Sequence, residues 1–160
     1  MIRTCISSDA AKICDIYNFY VRETVVTFEE TPISVEEMTG RIDGVKALLP
    51  WIVWDEAGDV AGYAYATPWK ARSAYRYSVE CSIYLAPGAT RQGIGTKLYE
   101  ALIAELKPLG VHCVIGGAAL PNPGSVALHA RLGFTQVAEF REVGWKHQRW
   151  ISVAYWQKFL

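Results

Sequence analysis

Apolar residues in the first third of the chain are spaced first as in a strand and then as in a helix. They follow a two-residue alternation over 2–6 and then recur every three or four positions as far as about Arg22. The first pattern predicts a short strand and the second an amphipathic helix. Ser34 is followed three residues later by Glu37, a capping box that predicts a second helix near 34–47.

The rest of the chain shows strand-like runs separated by one long helix and one short helix. The long helix is predicted from Gly93 to Lys107, where Pro108 stops it, and the short one between Ser125, its cap, and Gly133. Strands are predicted at 51–55, 60–67, 78–85, 111–116, from 134 onward and at 147–157. Strands and helices in this order predict a mixed α/β domain built around one sheet.

Length and composition fit a single domain over residues 1–160 with a full core. Apolar residues make up 51% of the chain and charged residues 20%, which is usual for a compact domain. Sixteen basic residues balance sixteen acidic ones, so no broad field favours nucleic acid or an anionic membrane. The apolar runs are too short to cross a bilayer, and residues 1–5 lack the apolar core of a signal peptide. An anionic ligand therefore needs a local site, and we expect no membrane association.

Four cysteines are present, and none has the spacing of a redox or metal-binding motif. No pair forms C-x-x-C, and no cysteine lies near a histidine at zinc-finger spacing. The four are Cys5, Cys14, Cys81 and Cys113. Each lies within an apolar strand or helix pattern, which predicts small buried thiols in a reducing, cytoplasmic compartment and no metal site.

The segment from Thr90 to Leu98 joins a predicted strand to a predicted helix through two glycines. Gly93 and Gly95 let the backbone approach a ligand, and the first N–H groups of a helix point outward at the positive end of its dipole. Such a turn suits a pyrophosphate, with Arg91 adding charge. The Walker A spacing is absent, and the dinucleotide-binding pattern lacks its third glycine at position 98. On this segment alone, a tight turn without a ligand is the alternative.

A basic and aromatic patch precedes the strand at 78–85. It consists of Trp69, Lys70, Arg72, Tyr75, Arg76 and Tyr77. Arginine pairs with a carboxylate or phosphinate in bidentate fashion, so the patch could hold such a group. Aromatic residues between cations are also typical of single-stranded nucleic-acid binding, but the neutral net charge and the shortness of the patch argue against it. An exposed polar loop without a ligand is the remaining alternative.

The turn at 90–98 resembles motif A of the GNAT acetyltransferases, whose pattern is Q/R-x-x-G-x-G/A, with Thr90 in place of the first Gln or Arg. Asn122, the helix from Ser125 and Leu132-Gly133-Phe134 resemble the motif that follows in that family. Along nearly its whole length the chain is similar to the phosphinothricin and methionine-sulfone N-acetyltransferase branch. The matching segments are Thr27-Phe28-Glu29-Glu30-x-Pro32, Tyr75-Arg76-x-Ser78-Val79-Glu80-x-Ser82-Ile83-Tyr84, Leu120-Pro121-Asn122-x-x-Ser125, Leu128-His129, and Val143-Gly144-x-Lys146 before Trp150.

The resemblance implies a GNAT-like acyl-CoA N-acyltransferase fold, an α/β (α+β) fold with a mixed central sheet of about seven strands flanked by about four helices. It also implies acetyl-CoA as co-substrate, with its pyrophosphate on the turn and its pantetheine amides along the preceding strand. Backbone groups should do most of this binding, so we expect it to survive the departure at Thr90. The implied cofactor-binding residues are Ile83, Tyr84, Leu85, Arg91, Gln92, Gly93, Ile94, Gly95, Thr96 and Asn122.

Glu80 and His129 are the catalytic residues that the resemblance implies. An amine must lose a proton before it attacks a thioester, and partial burial raises the pKa of a carboxyl group toward that use. By spacing alone Glu80 is typical of a solvent-facing strand residue; the family position makes it the general base. His129 stands where many GNAT enzymes carry a tyrosine thought to protonate the leaving thiolate, and packing against Leu128 is the alternative. Backbone N–H groups near Ile83 and Tyr84 are the expected oxyanion donors.

The implied acceptor is a small amino acid with an extra tetrahedral group, such as phosphinothricin, methionine sulfone or methionine sulfoximine. In the resembled branch the early loop closes over the acceptor, and Arg72 is the expected clamp for its carboxylate or phosphinate. The implied substrate-binding residues are Phe28, Glu29, Arg72, Tyr75, Arg76 and Ser82. The branch is commonly dimeric, and the C-terminal aromatic residues exceed what one small core buries, so we expect a homodimer.

Two other functions stay open on the sequence alone. A peptide or protein N-acetyltransferase is one, although the loop at 28–30 would crowd an open peptide groove. A catalytically silent acyl-CoA-binding regulator is the other, although the presence of both Glu80 and His129 argues against it. We therefore expect direct acetyl transfer to a small acceptor in a ternary complex, where proximity supplies much of the rate.

Overall fold

Seven strands and four α-helices form in the part of the chain that the computed structural model describes, residues 1–90 and 93–160. The strands are β1 (Ile2–Thr4), β2 (Trp51–Glu56), β3 (Asp59–Pro68), β4 (Ser78–Leu85), β5 (Cys113–Ala119), β6 (Thr135–Lys146) and β7 (Arg149–Phe159). The helices are α1 (Ala10–Glu23), α2 (Val35–Lys46), α3 (Ile94–Leu106) and α4 (Pro123–Arg131). The predicted fold, a mixed sheet of about seven strands with about four helices, is confirmed.

All seven strands belong to one sheet, in the order β1-β2-β3-β4-β5-β7-β6. Neighbouring strands are antiparallel except β4 and β5, which run parallel and are joined through α3. A parallel pair needs such a crossover, because the chain must return to the same edge before the second strand begins. The parallel pair therefore lies inside the sheet, with an antiparallel group of strands on each side.

The sheet separates two hydrophobic cores, because alternate residues of each strand point to opposite faces. α3 and α4 pack on one face, where the core includes Val79, Cys81 and Trp156. α1 and α2 pack on the other face, against residues such as Trp51. Consecutive residues of β4 thus serve different faces, and Glu80 points to the face that α1 and α2 cover.

The helix near Ser125 begins earlier than predicted. Asn122 is its N-cap, and the Asn122 side-chain oxygen accepts a hydrogen bond from the Ser125 N–H at 3.0 Å. Pro123 occupies the first turn, where its fixed φ suits the helix and its missing N–H is no loss. The prediction of Ser125 as the cap was therefore wrong, because Ser125 is the residue that donates to the cap.

All four cysteines are buried and none forms a disulfide, as predicted. Burial raises the pKa of the Cys81 thiol well above its ordinary value. Within residues 1–90 and 93–160, no helix has the length and apolar character needed to cross a bilayer. In the same residues, no three His, Cys, Asp or Glu side chains are grouped as metal ligands would be.

Candidate active site

β4 and β5 pair at their starts and then part. Residues 78–81 of β4 pair with residues 113–116 of β5. Beyond these positions β4 continues along β3 as far as Leu85, and β5 continues along β7 as far as Ala119. The two strands thus enclose a wedge-shaped gap inside the sheet, the wedge, and backbone groups that face it have no partner strand among the described residues.

Ile83 and Leu85 turn their backbone N–H and C=O groups toward the wedge. Hydrogen-bonded pairs alternate along antiparallel β3 and β4, and the bond from the Ala86 N–H to the Ala61 carbonyl fixes which residues form them. By this alternation the backbone of Tyr84 pairs with β3 and points away from the wedge. Of the three strand residues predicted to meet the pantetheine, Ile83 therefore keeps both backbone groups available on that side, and Leu85 keeps its N–H, because the Leu85 carbonyl accepts a hydrogen bond from the Tyr20 hydroxyl.

The N-terminus of α3 lies at the open end of the wedge. A Cβ placed on Gly95 would lie 3.7 Å from Leu85 and 3.8 Å from Leu128, so this turn of helix sits between the end of β4 and α4. Gly93 is the N-cap and has a φ of 76°, a left-handed conformation that glycine adopts readily. The N–H groups of residues 94–96 lack acceptors within the helix and point outward at its positive end. A helix start of this kind suits an anion, and the pyrophosphate cradle itself stays a prediction.

The predicted cofactor contacts of Arg91, Gln92 and Asn122 stay predictions. Arg91 and Gln92 lie outside the described residues, so their roles stay predictions. The Asn122 side chain caps α4 through its oxygen, and Asn122 also lines a pocket of about 780 Å³ that α4 shares with Trp150 and Ser152 of β7. A direct contact between Asn122 and a cofactor stays a prediction as well.

Glu80 is half-buried at the closed end of the wedge. In the sheet register it lies opposite Thr67 of β3. A Cβ placed on Gly117, the first β5 residue beyond the paired segment, would lie 3.3 Å from the Glu80 Oε1 and 3.0 Å from the Tyr155 ring. Burial raises the pKa of Glu80, and the positive charge of Lys70 opposes that rise. A carboxylate in this position takes up a proton more readily than an ordinary glutamate, as a general base must.

His129 packs under the sheet on the α3 face and is 4% exposed. Its Nδ1 lies 2.8 Å from the Ser125 carbonyl oxygen, which accepts, so Nδ1 carries the proton. That leaves Nε2 as the acceptor atom, 3.5 Å from the Tyr99 hydroxyl. The ring stacks on Trp156 with centroids 4.8 Å apart, and burial lowers the pKa of the imidazole. These contacts match the packing alternative, and the proton-donor role of His129 stays a prediction.

Glu29 ties the loop at 24–33 to the helices that cover the Glu80 face. Its carboxylate accepts hydrogen bonds from Arg41 at 2.6 and 3.0 Å and another from the Tyr17 hydroxyl. The Arg41 guanidinium holds the pKa of Glu29 below its ordinary value. The Glu29 carboxylate is thus occupied by α1 and α2, which leaves it little capacity to bind an acceptor ammonium.

Phe28 and Lys146 join the same loop to β6. The Phe28 ring lies directly against Gly144, where a Cβ would be 3.0 Å from the Phe28 Cδ2 and closer still to two other ring atoms. Lys146 is 2% exposed, and its ammonium donates to the Thr27 carbonyl at 2.8 Å. Burial lowers the pKa of Lys146, and the charges of two loop glutamates oppose the shift. Sequence reasoning assigned Lys146 no role, although a lysine inside an apolar strand segment was a usable signal.

Arg72, Tyr75 and Arg76 surround a short 3₁₀ turn before β4. All three side chains are exposed. Arg76 donates to the backbone of the turn and lies over the Tyr77 ring, 4.5 Å from its centroid. The Arg72 side chain makes no hydrogen bond or ion pair with the described residues, so its charge is free to meet a ligand.

Tyr65 of β3 lies near Ser82 and the charged groups of this face. It is the cross-strand partner of Ser82, and burial raises the pKa of its hydroxyl. The charges of Glu80 and Glu29 act in the same direction, whereas the charge of Arg41 opposes them. Sequence reasoning did not select Tyr65, because one tyrosine in a strand rich in Tyr and Ala carries no distinguishing signal.

The arrangement as a whole fits a coenzyme A thioester and an amine. Backbone amides along the wedge that have no partner in residues 1–90 and 93–160 suit an extended chain that itself contains amides, and the start of α3 suits a pyrophosphate. Glu80 at the closed end suits the proton of the amine, on the face where the loop at 24–33 is anchored. The residues present therefore fit a site for acetyl transfer from acetyl-CoA.

Known acetyltransferases are similar to this chain in sequence. Residues 2–154 match the family model described as the acetyltransferase (GNAT) domain. The chain is 38% identical to a phosphinothricin N-acetyltransferase of Streptomyces viridochromogenes, across 98% of this chain and 86% of that protein. It is 33% identical to an L-methionine sulfoximine/L-methionine sulfone acetyltransferase of Salmonella typhimurium, across 98% of this chain and 92% of that protein.

Solved structures of acetyltransferases share the fold of this chain. A GNAT superfamily phosphinothricin acetyltransferase from Sinorhizobium meliloti, crystallised in complex with acetyl-CoA, superimposes with a TM-score of 0.97 and 39% identity. The superposition covers 100% of this chain and 88% of that one. Because the family model and these relatives span nearly the whole chain, the fold, the family and the class of chemistry are shared. The chain belongs to the GNAT acetyltransferase family and is an acyl-transferring enzyme.

Proposed function

We propose that this enzyme transfers the acetyl group of acetyl-CoA to the amino group of a small amino-acid-like acceptor. The observation that carries the proposal is the half-buried Glu80 at the closed end of the wedge, with its pKa raised by burial. Relatives named for phosphinothricin and for methionine sulfoximine and sulfone support an acceptor of that class. Such an acceptor is an amino acid whose side chain carries a tetrahedral phosphorus or sulfur.

The wedge and the start of α3 would hold acetyl-CoA, which supplies an activated carbonyl. The Ile83 carbonyl and the Leu85 N–H would pair with the pantetheine amides, and the Ile83 N–H would donate to the oxygen on which charge develops. The N–H groups of residues 94–96 would bind the pyrophosphate. The Leu85 carbonyl also accepts a hydrogen bond from the Tyr20 hydroxyl at 2.7 Å, which fixes the end of β4.

Glu80 would accept the proton of the acceptor ammonium, because an ammonium has no lone pair with which to attack. Direct transfer in a ternary complex is supported by the state of the neighbouring thiol. Cys81 lies on the opposite face of β4, and burial raises its pKa, so it is a poor nucleophile. Binding both reactants side by side then supplies much of the rate without a covalent intermediate.

Arg72 is our candidate for holding the acceptor carboxylate or phosphinate, because its charge is unpaired within the described residues and it lies shortly before β4. Phe28 would close over the acceptor from the loop at 24–33. Glu29 enters the proposal as the anchor of that loop, since Arg41 and Tyr17 occupy its carboxylate.

Lys146→Met should loosen this loop while leaving the sheet intact. Methionine fills a similar buried volume but cannot donate to the Thr27 carbonyl, which Lys146 meets at 2.8 Å. A lost hydrogen bond to a charged group is worth about 1.5–3 kcal/mol, so we expect the acceptor KM to rise by roughly tenfold or more. The acetyl-CoA KM should stay near wild type. Steady-state kinetics with both substrates provides the measurement, and an equal rise in both KM values would show that the contact does not act through the loop.

We further propose a cytoplasmic homodimer. β6 and β7 carry exposed apolar side chains of the kind that interfaces cover: Val137, Phe140, Val143, Trp145 and Trp150. Four free, buried thiols are typical of proteins in a reducing compartment, which supports the location. The catalytic unit in this proposal is a single domain within residues 1–160.

A panel of acceptors tests the proposed function. The purified protein is incubated with acetyl-CoA and with methionine sulfone, phosphinothricin, ordinary amino acids or a peptide, and release of free thiol is followed. We expect release with the first two acceptors. Release with the peptide alone would contradict the small-acceptor proposal. Tight coenzyme A binding without release for any acceptor would indicate a regulator.

A further inference from the structure

We propose that the pocket between α2 and the strands β2 and β3 takes the methyl end of the acceptor side chain, and that Gly40 and Gly44 set its size. The pocket has a volume of about 290 Å³, and its walls include Trp51, Tyr65 and Thr67. This inference rests on the proposed function, because it starts from the small amino-acid acceptor proposed above and places the end of its side chain in this pocket. It goes beyond that function by naming the part of the acceptor that the enzyme selects.

The pocket adjoins Glu80 on the same face of the sheet. Thr67 is the cross-strand partner of Glu80, in a hydrogen-bonded pair whose Cα atoms lie about 5.5 Å apart. Tyr65 lies opposite Ser82, and its pKa responds to the charge of Glu80. Side chains on one face of paired strands are neighbours. An amino acid with its ammonium at Glu80 therefore has the pocket within reach of its side chain, one strand away.

Gly40 and Gly44 lie one helical turn apart in α2 and present no side chain to the pocket. A Cβ placed on either of them meets no heavy atom within 4 Å, so packing against the described residues does not require glycine there. Neither has the positive φ that would demand glycine. Glycine inside a helix weakens it relative to alanine. The space that the two residues leave open belongs to the pocket, which gives both glycines a function that the fold itself does not.

The walls of the pocket suit a small apolar group. Trp51 and Tyr65 stack with centroids 4.1 Å apart and form an apolar wall. Arg41 is paired with Glu29 and Glu37 and adds no free positive charge. A methyl group on a tetrahedral sulfur or phosphorus is small and apolar, and it matches a wall of this kind in a pocket of about 290 Å³.

Gly44→Leu tests the inference with two acceptors that differ only at this end. They are phosphinothricin, which has a P–CH₃ group, and its analogue with P–H. One methyl group in a fitted apolar pocket is worth about ten- to two-hundred-fold in kcat/KM, so we expect the wild type to prefer P–CH₃ within that range. Gly44→Leu should fill the pocket and remove most of this preference, with the acetyl-CoA KM unchanged.

Asp43→Leu is the control, because it places the same side chain at an exposed position of α2 outside the pocket walls and should keep the wild-type preference. Gly40→Ala should reduce the preference to a smaller extent. It replaces Gly44→Leu as the test variant if Gly44→Leu does not fold. Equal kcat/KM values for the two acceptors in the wild type, or an undiminished preference in the glycine variants, would overturn the assignment of this pocket to the methyl group. The proposed function would still stand. No turnover of either acceptor by the wild type would overturn both.

Discussion

Glu80→Gln is expected to lower kcat with methionine sulfone or phosphinothricin by about 10²- to 10⁴-fold, the range usually lost with a general base. The amide keeps the size of the side chain but cannot take up the proton of the acceptor ammonium. The KM for acetyl-CoA should stay near wild type, because the proposed cofactor contacts are backbone groups of the wedge and of α3. Steady-state thiol release measured against each substrate in turn gives both quantities.

The pH dependence separates this role from packing. Burial raises the pKa of Glu80, so wild-type kcat/KM should fall with decreasing pH over a range above that of an ordinary glutamate. This acid limb should be absent in Glu80→Gln, and an unchanged limb would remove Glu80 as the base. The stability of the fold depends on pH in the opposite direction. The folded state binds the Glu80 proton more tightly than the unfolded state, so the free energy of unfolding falls as pH rises from the ordinary pKa of 4.5 through the raised pKa. Glu80→Gln should therefore be at least as stable as the wild type at pH above that window.

Gly116→Ala is expected to cost about 1–3 kcal/mol in free energy of unfolding, the usual range for overpacking a core. A Cβ at this position would overlap the His129 Nε2 and lie 2.9 Å from the Tyr99 hydroxyl. The imidazole cannot retreat, because it stacks on Trp156 and its Nδ1 is held by the Ser125 carbonyl. Chemical denaturation at constant temperature measures the change.

Gly40→Ala is the matched control for stability, since it adds the same methyl group where a Cβ meets no heavy atom of the described residues within 4 Å beyond its own turn of helix. The better helix propensity of alanine should make that variant more stable by about 0.5–1 kcal/mol. A Gly116→Ala protein as stable as the wild type would contradict the packing of His129 under β5.

The strand, turn and helix from β4 to α3 could be predicted because their signals are local. Alternation marks β4, Gly93 supplies the left-handed φ at the start of α3, and Pro108 follows its end. The wedge could not be predicted in this way. It depends on where β4 and β5 stop pairing, and that register is set by contacts of each strand with β3 and β7.

The sequence predicts the surroundings of the site side chains only in part. The spacing of Glu80 fixes its face of β4 but not what covers that face, and its burial comes from elements distant in sequence. His129 was left between catalysis and packing because its neighbours Tyr99 and Trp156 come from other elements. Lys146 drew no assignment, since its partner Thr27 lies at the other end of the chain.

Identification of the reaction product tests the central claim most directly. The protein is incubated with methionine sulfone and with acetyl-CoA labelled in its acetyl group, and the label is traced by mass spectrometry and NMR. We predict label on the α-nitrogen of methionine sulfone, with one thiol released for each product molecule. Label that stays on coenzyme A, or that appears on protein amines but not on the acceptor, would contradict the assignment of this enzyme as a small-acceptor N-acetyltransferase.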